Sequence, residues 1–273
     1  MIREEDGMNR AHLKNIIILI LLLVNLVLLG FLGTRLSQER AARTRTLAEL
    51  TELFASEGIS LTAQIPEDAP PSGQTLTRDV DGDRALAVSL LGDSLETSDE
   101  GGGIYTCASE NGQALFRSSG SFEVTGLLAR TDAEAVCKKF CQAFGYQDLV
   151  MDLHGGSGTG IAVQYFDGYP VANATVKFLV ENGRLISVSG IHLPQTSSGT
   201  VSGGSLSAVT ALTKFLEDRR AVAAVLSSVS DVYLCYELQS TAAAPMSLTP
   251  AWCVVTDTGN YYVNCSTGAV TFD

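Results

Sequence analysis

The chain has 273 residues, 45% of them hydrophobic, with 18 Lys plus Arg against 30 Asp plus Glu and a formal net charge of −12. From Ser37 onward the balance is 14 − 27 = −13, because four basic and three acidic residues precede it. Such a surface excludes ordinary nucleic-acid binding, which needs Lys and Arg to neutralise phosphates, and the apolar content is that of a globular chain, not a disordered one.

The first element is an apolar run from Ile16 to Leu32 that carries Asn25 as its one polar interruption. With its compatible flanks, Leu13 to Leu36, it is long enough to cross about 30 Å of hydrocarbon as a helix. A cleaved signal peptide has a shorter apolar core and small residues at its exit. Here the exit reads Gly30-Phe31-Leu32-Gly33-Thr34, so an uncleaved single-span anchor is expected. Basic residues flank both ends, Arg3, Arg10 and Lys14 before and Arg35, Arg40, Arg43 and Arg45 after, so the positive-inside rule alone does not orient the span. The expectation is a cytoplasmic N-terminal tail over 1–12 and an extracytoplasmic C-terminal domain.

Thr44 to Glu57 reads as an amphipathic helix with Leu47, Leu50, Leu53 and Phe54 at helical spacing and Gly58 as its stop. Ile59 to Ile65 alternates as a strand and runs into a Pro-rich loop ending at Gly73. Arg84 to Leu91, Ile104 to Ser109, Ala114 to Ser118 and Phe122 to Leu128 are strand candidates, with turn signals at Glu100 to Gly103 and at Asn111-Gly112. Thr131-Asp132-Ala133-Glu134 forms a capping box for a helix that runs to Phe144 and stops at Gly145. Four strands follow: Leu149 to His154, Ile161 to Asp167, Ala174 to Glu181 and Arg184 to Ile191. Asn182-Gly183 joins the last two, and both positions of a type I′ turn require φ > 0.

Pro194 to Ser205 is a Ser/Gly/Thr linker, after which the order repeats. A helix over Ser207 to Glu217, with a short apolar extension at Ala221 to Leu226, precedes strands at Val232 to Gln239, Ala251 to Thr256, Tyr261 to Cys265 and Ala269 to Phe272. The expected fold class is therefore α+β: a single N-terminal transmembrane helix (13–36), a membrane-proximal helix and sheet (37–130), and two helix-plus-antiparallel-meander units (131–193 and 205–273) joined by a linker (194–204).

Several residues carry a resemblance. Leu248-Thr249-Pro250-Ala251-Trp252-Cys253-Val254-Val255, then Tyr261-Tyr262-Val263-Asn264-Cys265-Ser266-Thr267-Gly268-Ala269-Val270, resembles the closing hairpin of PepSY-like modules, with Cys265 where Ala is usual. Tyr165 to Val171, Val176-Lys177-Phe178 and Asn182-Gly183-Arg184-Leu185 resemble the middle of the same module. Together with the membrane span, the layout is similar to the YycH/YycI family, YycI in particular. The resemblance implies a membrane-anchored accessory protein of Gram-positive bacteria that restrains the WalK sensor kinase of a two-component system. The expected partners are thus a membrane sensor kinase, a homologous single-span regulator, and the bilayer itself through 13–36. The alternative is an extracytoplasmic PepSY-like module that binds or inhibits a peptidase.

No catalytic residue, cofactor site or metal site is expected. His154-Gly155-Gly156-Ser157-Gly158-Thr159-Gly160 looks like an esterase oxyanion loop, but no G-x-S-x-G elbow accompanies it, so it reads as a hairpin loop. Asp79, Asp81 and Asp83 echo a calcium loop, yet Leu90 stands where the bidentate Glu belongs, so a solvated loop is expected. Asn173-Ala174-Thr175 and Asn264-Cys265-Ser266 match a glycosylation sequon, a pattern common by chance. The cysteines show no zinc spacing. Cys137 and Cys141 belong to the apolar face of their helix, and a hairpin turning at Thr258-Gly259, pairing Val254 with Val263, sets Cys253 and Cys265 on opposite faces. Trp252 reads as core. The one candidate functional position is Asn25, with Gly30 and Gly33 beside it. A mid-membrane amide is costly unless a neighbouring helix satisfies it, and the glycines let two backbones approach.

Overall fold

The computed structural model describes residues 5–201, 204–222, 225–239 and 246–272, and the chain divides into two compact units, Met1–Gly58 and Ile59–Asp273. The first unit is one helix, α1, Glu5–Ser56, so the amphipathic stretch from Thr44 continues the apolar helix without a break. Gly58, at φ +75°, ends it as expected. The side chains described in the apolar run are those of Phe31 and of the stretch 18–29, and all are exposed. As helix that portion is about 18 Å long. Among the described residues no helix is long and apolar enough to cross a membrane.

The second unit is mixed α and β, built around a large, mostly antiparallel sheet. It opens with β1, Ser60–Leu61, which is shorter than the strand expected over 59–65, and β2, Gly73–Leu76. Next comes α2, Val80–Leu91, where the sequence reading expected a carboxylate-rich loop and a strand. The segment is helical because Asp79 caps it, accepting from the Gly82 N–H, and Asp81 and Asp83 sit in the first turn, favourable against the positive end of the helix dipole. Leu86, Ala87, Leu90 and Leu91 are buried. That spacing is helical, although over so few residues it also resembles alternation.

Four strands then form a meander: β3, Glu96–Gly101; β4, Ile104–Ser109; β5, Gly112–Arg117; and β6, Ser121–Ala129. The helix α3, Ala133–Phe144, matches its expected span and ends at Gly145 in the left-handed region. Its start differs from the expected box. Asp132, not Thr131, is the cap, accepting from Ala135 N at 3.2 Å, while Glu134 accepts from Lys138 one turn on. A second meander follows: β7, Tyr146–His154; β8, Ser157–Phe166; β9, Tyr169–Glu181; and β10, Arg184–Ile191. Strand pairing runs up to the Gly155-Gly156 turn, so most of the glycine-rich run expected as a loop is sheet. Asn182 and Gly183 have φ +51° and +74°, as the type I′ turn requires.

The linker contains one short strand, β11, Gly199–Val201, paired with β2. The helix α4, Ala208–Val222, precedes β12, Ser228–Gln239; β13, Met246–Thr256; β14, Gly259–Asn264; and β15, Val270–Phe272. Of the short helix expected over 221–226, Ala221 and Val222 are the end of α4, residues 223 and 224 lie outside the described residues, and 225–226 are not helical. The closing hairpin turns one residue earlier than expected, at Asp257-Thr258, so Val254 pairs with Tyr261 and Trp252 with Val263.

All the described strands belong to one sheet. Its main path runs β11-β2-β13-β12-β9-β10-β6-β5-β4-β3. α2 and α3 share a core with one face of the first half, where Phe116, Phe122, Phe140, Phe178 and Val188 are buried together. Phe140 meets Phe178 edge-on at 5.6 Å and Phe144 at 4.9 Å, arrangements that add to simple area burial. α4 covers one face of the last meander: Phe215 packs on Tyr261, and Trp252, fully buried, donates from Nε1 to Leu206 O at 2.8 Å. Trp252 is core, as expected.

Candidate functional site

Side chains alternate across a strand, so each meander has a helix-covered face and a free one. On β8 and β9, Ala162, Val176 and Phe178 are buried toward α3, which leaves Val163, Tyr165 and Thr175 on the other side. On β12 and β14, the parity that puts Tyr261 against α4 leaves Tyr233 and Tyr262 on the free face, in register through Cys253 of β13. The two free faces meet where β9 joins β12. That junction is one parallel bridge, Val171 to Tyr236, braced by Asn173, whose amide donates to Leu238 O and accepts from Leu238 N. Asn173 is therefore a structural bracket, and the sequon match carries no further meaning.

At this junction lies a cleft of about 700 Å³, the size of a ligand-binding cavity, lined in part by Tyr165, Tyr169, Tyr233, Tyr262, Asp68 and Asp148. Asp148 sits at a bulge between Gln147 and Val150 with φ +55°. A non-glycine residue in that region at a bulge is re-aimed out of the strand's alternation, and its carboxylate accepts from Tyr165 Oη at 2.7 Å. Burial, aided by that bond, pushes the Tyr165 phenol up to about 12. Burial raises Tyr233 further still, with a contribution from Cys253. Both phenols thus remain neutral hydroxyls near neutral pH. The described lining contains two carboxylates and no Lys, Arg or His.

A second polar cluster is buried under α2. Asp83 accepts from Arg78 Nε at 2.9 Å and faces His192 Nδ1 at 3.4 Å, while Arg78 Nη1 donates to Gly103 O. Asp83 and His192 are 5% and 7% exposed. This ties α2 to the strand that ends the first half of the sheet. Its role is structural, not that of the solvated loop expected of Asp83. Among the described residues no group of His, Cys, Asp and Glu is arranged to hold a metal.

The six cysteines are buried free thiols. Burial pushes Cys137 and Cys265 up to about 12 and Cys141 and Cys253 up to about 11, so they are poor nucleophiles and behave as small apolar groups. Cys253 and Cys265 still fall on opposite sides of the hairpin under the corrected register, since Cys253 faces Tyr262 and Cys265 follows the opposite parity.

Asn25 lies on α1, exposed, among Ile18, Leu21, Leu22, Leu26 and Leu29, and the other described side chains of the run are apolar and exposed as well. The i, i+3, i+4, i+7 spacing of Ile18, Leu21, Leu22 and Asn25 is one helix face. Gly30 and Gly33 are on the same helix, but their surroundings lie outside the described residues. The cleft escaped the sequence reading because its lining comes from segments 66–68, 148, 163–175, 233–235 and 260–262. The available signal was the apolar set Ile161, Val163 and Tyr165 on the parity opposite Ala162 and Phe166, which gives β8 two largely apolar faces where only one is covered by a helix.

No family model and no curated protein matches the chain. Among solved structures, the chain is similar to an uncharacterized protein from Eubacterium rectale ATCC 33656, at 11% identity and TM-score 0.47, over 79% of this chain and 86% of that one. The C-terminal domain of YpeB from Bacillus megaterium matches at 14% identity and TM-score 0.37, over 72% and 98%. YycH from Bacillus subtilis matches at 11% identity and TM-score 0.42, over 77% and 53%. The likeness is distant in all three.

Proposed function

We propose that this protein is a non-enzymatic, membrane-anchored accessory regulator that binds a membrane sensor histidine kinase of a two-component system and modulates its activity. The observation that carries the reading is α1. One unbroken helix takes an exposed apolar run, interrupted only by Asn25, directly into the amphipathic segment that precedes the folded unit. An apolar face with a lone amide is stabilised when a second helix supplies a hydrogen-bond partner. The resemblance of the whole layout to the YycH/YycI family supports the choice of partner; the PepSY-like motifs alone would equally suit a module that binds a peptidase. In this reading 13–36 crosses the bilayer, the tail before it is cytoplasmic, and the α+β unit is extracytoplasmic.

Replacing Asn25 with Leu tests the contact. An interhelical hydrogen bond of this kind is worth about 0.6 kcal/mol and up to roughly 2, so Asn25→Leu weakens co-purification of the kinase and shifts its output modestly without lowering expression. A poly-Leu span, which also removes Gly30 and Gly33, does more. Full regulation by the poly-Leu variant would reduce the helix to a tether.

A further inference from the structure

The edge of β12 has a gap. It pairs with β1 only at Ser228 and Val229 and with β9 only at Tyr236. Thr62 carries the first contact slightly further by donating to Val229 O, and the Val232 N–H donates to Asp231 Oδ1; otherwise Ser230 to Cys235 has no strand partner on that side among the described residues. At about 3.3 Å per residue the gap is roughly 20 Å long. It opens into the cleft, because Tyr233, Leu234 and Cys235 all line it. Alternate side chains point to opposite faces, so a cavity touching three in succession reaches the backbone edge itself. An unpaired edge is a template for an added strand.

The chemistry of the walls selects what that strand carries. Asp148 uses one carboxylate oxygen for Tyr165 and keeps acceptor capacity on the other, while Asp68 is exposed on the lining. The aromatic rings offer negative π-faces. We infer that the cleft is a peptide-binding site: an extended segment of a second protein lies along Ser230–Cys235 and places an arginine or lysine side chain between Asp68, Asp148 and the tyrosine rings. Backbone pairing supplies the affinity, and the cation supplies the selectivity.

The test uses the full-length protein in nanodiscs of neutral phosphatidylcholine, probed by fluorescence anisotropy. The probes are labelled, blocked pentapeptides with a central arginine and varied flanks. Their citrulline counterparts keep the shape without the charge, and their N-methylated counterparts lose backbone donors. Nα-acetyl-arginine amide is the competitor. The arginine peptides bind at least about fivefold more tightly than the citrulline ones, the range of a solvent-accessible ion pair. That preference disappears in Asp68→Asn/Asp148→Asn, whose thermal midpoint stays unchanged, and N-methylation weakens binding. Equal binding of arginine and citrulline peptides, no saturable binding, or an unchanged preference in the double variant would overturn the proposal. Competition by the free amide as effective as by peptide would also overturn it, reducing the cleft to a small-cation site. None of these results touches the kinase reading, which rests on α1 and is measured there.

Discussion

The Asn182-Gly183 turn lets the cost of backbone conformation be measured apart from crowding. Gly183 has φ +74° and nothing within 4 Å of where a Cβ would sit, so a side chain there meets open space. Its N–H donates to Gly156 O at 2.6 Å, and the Asn182 N–H donates to Ser157 Oγ at 2.9 Å. The turn is therefore fixed by the neighbouring β7–β8 hairpin and cannot relax to another type without losing both bonds. An L-residue forced into the left-handed region costs about 1–2 kcal/mol, and a β-branched residue is the least tolerant. Gly183→Val should cost about 2 kcal/mol, while Gly183→Asn, whose side chain tolerates that region, should cost about half as much. Thermal unfolding followed by circular dichroism on the full-length protein separates the two. Equal losses for Val and Asn would mean that side-chain contacts, not φ, set the cost. A loss under about 0.5 kcal/mol for Val would mean that the turn opens freely.

Removing the acceptor under α2 leaves Arg78 without its carboxylate. Asp83→Ala should cost about 2–3 kcal/mol, below the full value for a buried pair because Arg78 is 20% exposed; a neutral result by thermal melting would remove the cluster from the account of α2. For the thiols and Tyr165, burial raises the folded values to about 11–12, above the unfolded values near 9 and 10. The stabilisation is therefore complete below about pH 9 and is lost as pH rises through 11–12; melting temperatures flat to pH 12 would contradict this. With the native thiols buried, a membrane-impermeant maleimide should label Ser198→Cys but not Asn9→Cys in intact cells, and the reverse pattern would invert the topology.

The parts of the fold legible in the sequence were those fixed by local chemistry. Gly145 and Asn182-Gly183 mark positions where φ > 0 is required, and α3 shows its buried face through Cys137, Phe140 and Cys141. Local pattern misleads where two periods fit the same few residues. Arg84 to Leu91 alternates well enough to pass for a strand, and only the Asp79 cap and tertiary burial decide for helix. The closing hairpin shifted because Asp257 and Thr258 form its turn, where glycine alone suggested Thr258-Gly259. Non-local features were not legible. Asp83 and His192 are 109 positions apart, and the cleft depends on a bulge that turns Asp148 out of its strand. No local pattern reports either.

What the Asn25 face of α1 touches decides the regulatory role, and site-specific photo-crosslinking in growing cells measures that directly. A photoreactive amino acid at Leu22 or Leu29, on that face, is compared with one at Leu23 or Val27, about half a turn away at 3.6 residues per turn. Crosslinked products are recovered from the membrane fraction and identified by mass spectrometry. The expected result is a sensor histidine kinase captured from Leu22 and Leu29 and weakly or not at all from Leu23 and Val27. Capture of a peptidase instead, equal capture from both faces, or recovery of the protein uncrosslinked from the soluble fraction would contradict it.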